Sequence, residues 1–225
     1  MTYDGSFLGL FTPSTLLCGL LSVAMVVLHG ASYLSVKLEH GVVHDRARRF
    51  GTMAAMLSLA LFALGGAYVT WGGAGFHLTS SIDPAGPSNP LRSTAAAQAG
   101  DWLANYATHP WMITAPVLGL LGAAFALLGI RRRWEAAALG GSAASTFGII
   151  STVGLSMFPF ILPSSTDAHS SLTVWNASPS EHTLFLMLFA TAVLLPLVLL
   201  YTAWVYRVLW GRVTAAEVAA NPDFY

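Results

Sequence analysis

Five long runs of apolar residues alternate with shorter polar segments along the chain. Each run holds about 20 mostly apolar residues, the length that an α-helix needs to cross the roughly 30 Å hydrocarbon core of a bilayer. No Asp, Glu, Lys or Arg lies in the interior of a run. The pattern predicts five membrane spans, at about Ser14–Val36, Phe50–Trp71, Trp111–Ile130, Ala136–Phe158 and Thr183–Tyr206.

The connections between the spans differ in charge. Nine of the ten Lys and Arg residues fall in the segment 37–49, the turn 131–133 and the tail from Arg207, whereas the other connections contain only Arg92. Because basic loops stay in the cytoplasm, we expect the N-terminus outside and the C-terminus inside. The expected fold is all-α and polytopic, a single transmembrane domain over residues 1–225. It consists of an antiparallel four-helix bundle, one additional peripheral helix and a long outer loop at 72–110.

Composition narrows the class of protein. Of the 225 residues, 9% are charged and 55% hydrophobic, with a formal net charge of zero, and the mean hydropathy is +0.65. These values exclude a soluble globular enzyme and a nucleic-acid binder, which needs a basic face. Cys18 is the only cysteine, so no intrachain disulfide and no cysteine-based metal site forms.

Local patterns predict some of the packing. The turn Arg131–Arg133 is short enough to require an antiparallel hairpin of spans three and four. Segment 95–107 favours a short helix with Trp102 and Leu103 on its apolar side. Small residues also recur every four positions in span four and predict a face that packs closely on another helix: Gly140, Ala144, Gly148, Thr152 and Ser156.

Candidate ligands for a cofactor are few. Only His29 of the seven histidines lies inside a span, and His40 and His44 fall in the predicted inner segment 37–49. A single His cannot form a bis-His haem site, so His29 is a weak cofactor-binding candidate. In that alternative His29 is a single axial ligand and the sixth position is open, with five methionines as weak candidates for it: Met25, Met53, Met56, Met157 and Met187.

Catalytic candidates are equally sparse. Intramembrane carboxylates usually mark proton pathways, and no span contains one. Ser164, Ser165, Asp167 and His169 lie close together in an outer loop, but such crowding is common in polar loops. We therefore assign no catalytic residue and no metal site.

A distinctive motif follows span four. It reads Met157-Phe-Pro-Phe-Ile-Leu-Pro-Ser-Ser165 and continues as Ser171-Leu-Thr-Val-Trp-Asn-Ala-Ser178. The segment closely resembles subunit II of the cytochrome bd-type quinol oxidases, which carries Met-Phe-Pro-Phe-x-x-Pro-Ser-Ser followed by Ser-Leu-Thr-x-Trp-x-Ala. The resemblance covers essentially the whole chain. Its further matches are Gly30-Ala-x-Tyr33, Ser88-Asn-Pro-Leu91, Ala99-Gly-x-Trp-Leu103, Leu199-Leu-Tyr-Thr-Ala-Trp204 and Gly211-Arg212.

The resemblance implies a respiratory function. The family's complex, in the bacterial cytoplasmic membrane, oxidises ubiquinol or menaquinol and reduces dioxygen to water. Two b-type haems and one d-type haem lie in subunit I, which a haem-free subunit II braces. A small accessory subunit and a structural quinone also occur in the family, and we place neither on residues. The family's subunit II has about nine spans, so the chain corresponds to the C-terminal five.

The motif residues are predicted to be structural rather than catalytic. Pro159 and Pro163 end span four and hold an extended turn, the serines cap backbone groups, and Trp175 anchors the loop at the headgroup level. The residues so assigned are Met157, Phe158, Pro159, Phe160, Pro163, Ser164, Ser165, Ser171, Leu172, Thr173 and Trp175.

Three alternatives remain open. A small transporter or proton-conducting subunit predicts a buried charge or polar cluster that lines a cavity. A b-type cytochrome membrane anchor predicts a second intramembrane His. In the third alternative the chain is an assembly scaffold that derives from subunit II and no longer joins the oxidase.

Overall fold

The computed structural model describes residues 7–72, 74–81, 89, 93–164, 167–214 and 220. Within this part of the chain, five helices are long and apolar enough to cross a membrane. The predicted polytopic, mostly helical fold and the multi-pass membrane location are therefore confirmed. The spanning helices are α1 (Pro13–Lys37), α2 (Val42–Trp71), α4 (Thr114–Arg132, preceded by a 3₁₀ turn at Pro110–Ile113), α5 (Glu135–Met157) and α6 (Glu181–Val208).

Shorter elements connect these helices. Strands β1 (Ala74–Leu78) and β2 (Ala95–Ala99) form one two-stranded sheet, and β3 (Phe160–Leu162) and β4 (Leu172–Thr173) form another. The remaining elements are helix α3 (Ala104–Thr108) and the 3₁₀ turns Phe7–Leu10, Asp101–Leu103 and Ala168–Ser170. The chain divides into two compact units, one containing 1–75, 99–156 and 212–225 and the other containing 76–98 and 157–211.

The first unit is built on four helices that share one core. Residues from α1, α2, α4 and α5 meet in a cluster in which most side chains are alanine: Leu28, Ala54, Ala55, Ala126, Ile130 and Ala138. Helices in a bilayer gain little from burying large apolar side chains, and small residues let their backbones approach closely. The composition of this core is therefore typical of membrane helix packing.

At several glycines the backbones of α4 and α5 approach closely. A Cβ atom on Gly148 would lie 2.3 Å from the Gly119 nitrogen, and one on Gly122 would lie 2.5 Å from the Ser145 nitrogen. The Ser145 hydroxyl donates a hydrogen bond of 3.0 Å to the Gly119 carbonyl. The predicted antiparallel hairpin of spans three and four thus forms a tight interface at these glycines.

The predicted small-residue stripe is correct at Gly148 and wrong at Gly140. A Cβ on Gly140 would meet nothing within 4 Å. A helix repeats every 3.6 residues, so a strict spacing of four drifts by about 40° per step, whereas mixed spacings of three and four stay on one face. The buried residues of α5 follow the mixed pattern: Ala138, Gly141, Ser142, Ser145, Gly148 and Ile149.

Helix α2 begins earlier than predicted. It starts at Val42 rather than Phe50, so only residues 38–41 remain as the connection from α1. Arginine is a good helix former, and Asp45 in the first turn interacts favourably with the helix dipole. A helix of 30 residues is about 45 Å long, so its charged first turns extend beyond the hydrocarbon core. His44, predicted in a loop, is therefore helical, with 1% of its surface exposed.

The predicted helix at 95–107 is wrong in its first part. Ala95–Ala99 forms strand β2, and Gly100 then turns the chain with a φ of 85°. This left-handed conformation favours glycine and interrupts any continuous helix. Helical structure starts only after Gly100, in the Asp101–Leu103 turn and α3.

Helix α3 is tied to the end of α5. The Asn105 side-chain nitrogen donates to the Leu155 carbonyl at 2.9 Å, and the Tyr106 hydroxyl lies 2.8 Å from the Ser156 hydroxyl. The Asn105 contact satisfies one of the carbonyl groups that the last turn of a helix leaves without partners.

In the second unit, α6 is apolar between Glu181 in its first turn and Arg207 in its last turn. None of its 28 residues is buried, and Pro196 lies inside it. A helix that is hydrophobic on all sides is typical of a membrane span. Its assignment as the peripheral helix remains a prediction.

Candidate functional site: the motif loop

The segment 157–178, called here the motif loop, follows α5 and folds back on itself. The peptide between Phe158 and Pro159 is cis. Strands β3 and β4 then pair antiparallel with Phe160 opposite Thr173, and the Val174 N–H donates to the Pro159 carbonyl at 2.9 Å. The two halves of the sequence motif are therefore held side by side by backbone hydrogen bonds.

Asn176 is the centre of the loop's buried polar contacts. Its side-chain oxygen accepts the Thr173 N–H at 2.6 Å, and its amide nitrogen donates to the Ser93 hydroxyl at 2.6 Å. Asn176 is 6% exposed, and Ser171 and Thr173 are buried beside it. Buried polar groups are normally hydrogen-bonded because leaving one unpaired is costly. Asn176 thus joins the motif loop to the segment that contains Ser93.

The polar residues Ser164, Asp167 and His169 cap the backbone. The Ser164 hydroxyl accepts the Asp167 N–H at 3.3 Å, Asp167 accepts the His169 N–H at 3.1 Å, and the His169 Nδ1 accepts the Ala95 N–H at 3.3 Å. A catalytic triad instead needs its nucleophile bonded to a base that the acid orients. The observed contacts are those of a capped turn.

Asp167 is also a local electrostatic feature. Hydrogen bonds from the Ser170 hydroxyl, at 3.0 Å, and from the His169 N–H hold the pKa of the Asp167 carboxyl below its usual value. Both donors favour the ionised form because a carboxylate accepts hydrogen bonds better than a carboxylic acid does. The 3₁₀ turn at Ala168–Ser170 therefore has an ionised cap.

Aromatic side chains flank the loop. Phe158 and Trp175 pack edge to face with ring centroids 6.3 Å apart, and 46% and 37% of their surfaces are exposed. Phe160 is buried and lies 6.0 Å from Phe76. Of these three aromatic rings of the motif loop, Phe160 is therefore buried, and Phe158 and Trp175 are accessible.

The structure brings most of the predicted motif residues into this one loop. Phe160, Ser171 and Thr173 are buried, and Phe158 and Trp175 are exposed. Ser165 lies outside the described residues. The remaining members are partly buried: Met157, Pro159, Pro163, Ser164 and Leu172.

Sequence reasoning missed the two residues that hold the loop together, Asn176 and Ser93. Asn176 stands in the quoted motif, but it was not assigned a role. Its side-chain oxygen accepts the N–H three residues earlier, a local contact with the backbone that the short polar side chain of Asn favours. The 83 residues that separate it from Ser93 left the second contact without a sequence signal.

His29 contacts a neighbouring helix. Its Nδ1 lies 3.0 Å from the Ser142 hydroxyl, which itself donates to the Leu139 carbonyl at 2.8 Å. When the single hydroxyl proton of Ser142 is directed at the Leu139 carbonyl, the Nδ1 of His29 is the donor in this pair. The contact links α1 to α5.

Comparison with known proteins gives concordant matches. The sequence profile of the family described as Cytochrome bd terminal oxidase subunit II matches residues 1–209. The "Cytochrome bd-I ubiquinol oxidase subunit 2" of Escherichia coli K12 is 38% identical over 219 residues, which cover 97% of the chain and 58% of that relative. The "Probable cytochrome oxidase subunit 2" of Haemophilus influenzae is 35% identical over 221 residues, with 98% and 58% covered. The chain thus spans 58% of the length of these curated relatives.

Proposed function

Because the chain belongs to the cytochrome bd terminal oxidase subunit II family, we propose that it is a haem-free membrane subunit of a bd-type quinol oxidase. It braces a haem-bearing subunit I, which holds two b-type haems and one d-type haem. The complex oxidises quinol and reduces dioxygen to water in the bacterial cytoplasmic membrane. In this proposal the five spans act as a single transmembrane domain with the N-terminus outside.

The motif loop is the observation that carries the bracing role. Its polar groups serve backbone groups and the buried Asn176–Ser93 contact, as described above. Its exposed surface combines the apolar side chains of Phe158, Trp175, Ile161 and Leu162 with the polar Asp167 and His169. A loop that is fixed internally by hydrogen bonds and exposes an apolar patch suits contact with a partner protein or with lipid headgroups.

The residues around His29 support placing the haems in the partner. Among the described residues, His29 is the one His in the interior of a spanning helix, and its Nδ1 is bonded to Ser142. A bis-His haem site would need a second such residue. The quinol, a small accessory subunit and a structural quinone are contacts of the whole complex, and we assign none of them to a residue of this chain.

Affinity capture tests the subunit assignment. The tagged chain, co-expressed with subunit I of a bd-type oxidase, should retain that haem-bearing partner and show a reduced-minus-oxidised spectrum with d-type haem. The same chain purified alone should show no stoichiometric haem spectrum. Haem in the isolated chain, or capture without a haem-bearing partner, would contradict the proposal.

Variants in the motif loop test the bracing role. Pro159→Ala and Trp175→Ala should lower the amount of assembled complex more than the turnover of each complex. Trp71→Ala is the matched control, because Trp71 is 83% exposed and lies outside the loop. Turnover that falls at normal complex abundance would instead indicate chemistry in the loop.

A further inference from the structure

A second polar cluster lies at the end of the four-helix core where the α1–α2 connection meets the start of α5. His40 in the connection, His44 on α2 and Glu135 in the first turn of α5 each offer one ligand atom, and these three atoms lie within 4.8 Å of one another. The two imidazole rings are edge to face with centroids 4.8 Å apart. Two chain segments that are distant in sequence, residues 40–44 and the start of α5, thus converge on one point.

The distance between His44 and Glu135 fits a shared metal ion. His44 Nε2 lies 3.3 Å from Glu135 Oε1. Two ligands of a tetrahedral zinc ion, each about 2.0–2.1 Å from the metal, are separated by about 3.3–3.4 Å. The observed pair already has the spacing of one edge of such a site.

The second nitrogen of His44 gives an independent indication. The His44 ring is 1% exposed, and its Nδ1 is a buried atom without a hydrogen-bond partner. If Nε2 carries the proton, it donates to Glu135 and leaves Nδ1 unsatisfied. If Nδ1 carries the proton, the lone pair of Nε2 faces the carboxylate, which is repulsive unless a cation lies between them. If both nitrogens carry protons, Nε2 is paired with Glu135, but the Nδ1–H is 3.7 Å from Asp45 Oδ1, too far for a hydrogen bond.

A metal ion on Nε2 resolves this conflict. It places the proton of His44 on Nδ1, which faces Asp45 Oδ1 at 3.7 Å. Metal-bound histidines typically donate their other N–H to a carboxylate, which fixes the ring and raises its basicity. Asp45 is 69% exposed along its side chain, so it is free to close the remaining distance.

We propose that His40, His44 and Glu135 form a binding site for a divalent transition-metal ion of the Zn²⁺ type. Two imidazoles and one carboxylate are the ligand set that suits zinc, and three protein ligands leave a fourth position for water. The other carboxylate oxygen of Glu135 is paired with Arg212, which orients the carboxylate. His40 is exposed and precedes Gly41, so it closes onto the metal by a small movement of the connection.

The proposed site joins the segments that the charge pattern places on the cytoplasmic side. Metal binding there links the α1–α2 connection to α5, and the pairing of Arg212 with Glu135 adds the tail. A metal ion that binds the folded chain and not the unfolded chain stabilises the fold by its binding free energy. We therefore expect Zn²⁺ to raise the thermal stability of the chain, and this expectation does not depend on the oxidase assignment.

Titration of the metal-free full chain in detergent with Zn²⁺ alone tests the site. Calorimetry should show one Zn²⁺ per chain, and Co²⁺ should give the visible absorption of a tetrahedral site. The affinity for Zn²⁺ should fall at least tenfold in His40→Ala and Glu135→Gln, and about 10- to 100-fold in Asp45→Asn. His77→Ala and His109→Ala are matched controls that should leave the affinity unchanged.

The variants are chosen so that loss of metal binding can be distinguished from loss of folding. His40 is exposed, so His40→Ala should retain the helical circular dichroism of the wild type, whereas substitution of the buried His44 risks misfolding. The absence of stoichiometric binding to the wild type would overturn the proposal. An affinity that His40→Ala and Glu135→Gln leave unchanged, or that His77→Ala lowers equally, would overturn it as well.

Discussion

The glycine contact between α4 and α5 predicts opposite outcomes for two chemically identical substitutions. A methyl group added at Gly148 would lie 2.3 Å from the Gly119 nitrogen and 2.8 Å from the Ala115 carbonyl oxygen. A methyl group added at Gly140, in the same helix, would meet no atom within 4 Å. Gly140→Ala is therefore a matched control for Gly148→Ala.

The magnitude follows from the atoms involved. The contacts at Gly148 are with backbone, which cannot rotate away, and they fall short of ordinary van der Waals separation by about 1 Å. Overpacking of this kind costs roughly 1–3 kcal/mol. Separating the helices also weakens the Ser145–Gly119 hydrogen bond, and interhelical hydrogen bonds in membranes average about 0.6 kcal/mol. Gly140→Ala should be neutral or stabilising by up to about 1 kcal/mol, because alanine is the better helix former.

The free energy of unfolding, measured by titrating the detergent-solubilised chain with SDS and following helical circular dichroism, separates the two variants. Gly148→Ala should be less stable than Gly140→Ala by about 2 kcal/mol or more. Gly122→Ala should behave like Gly148→Ala, because its added methyl would lie 2.5 Å from the Ser145 nitrogen. Equal stability of Gly148→Ala and Gly140→Ala would refute the packing of α4 on α5 described here.

Three further predictions concern polar contacts. Asn176→Ala should destabilise the motif loop by about 1–3 kcal/mol, since it removes the buried partner of the Thr173 N–H; limited proteolysis should then cut the loop faster, and wild-type protection would contradict this role. Arg48→Ala should cost about 1.5–3 kcal/mol in thermal or SDS unfolding, because the guanidinium donates to the Ile130 carbonyl at 2.7 Å; the exposed Arg49→Ala is the control, and equal effects would refute the contact. Asp167, whose pKa is lowered from 3.8, should stabilise its turn above that pH and lose this effect as the pH falls through the lowered pKa; hydrogen exchange of the His169 N–H, corrected for the intrinsic pH dependence of exchange, should therefore lose protection on acidification in the wild type, and the same pH-dependent loss in Asp167→Asn would contradict this role.

The five spans were predictable from sequence because a bilayer imposes a simple length requirement on apolar runs. The start of α2 was not predictable in the same way. The charged residues at 45–49 indicate a loop by composition, but they are also compatible with helical turns outside the hydrocarbon core. A packed face of small residues on α5 was predicted correctly, but Gly140 was wrongly included in it. The members of this face follow the 3.6-residue repeat of the helix and not a strict spacing of four.

The candidate sites show a similar division. The motif loop could be located from its sequence, whereas its structural role, predicted from Pro159 and the serines, stays a prediction. The contacts of Asn176 with Ser93 and of His44 with Glu135 could not be predicted from the sequence, because each joins residues far apart along the chain. His44 and Glu135 are 91 residues apart, and only the packing of α2 against the start of α5 places their side chains in contact. Burial of His44 was hidden by the same error that placed it in a loop.

Deletion of the gene for this chain tests its proposed role in the oxidase. The quantity to measure is the d-type haem absorbance of the membranes, together with quinol oxidase turnover per haem. Loss of the assembled haem-bearing complex, restored by the wild-type chain, is the predicted result. A subunit I that remains assembled and fully active without this chain would contradict the proposed bracing function.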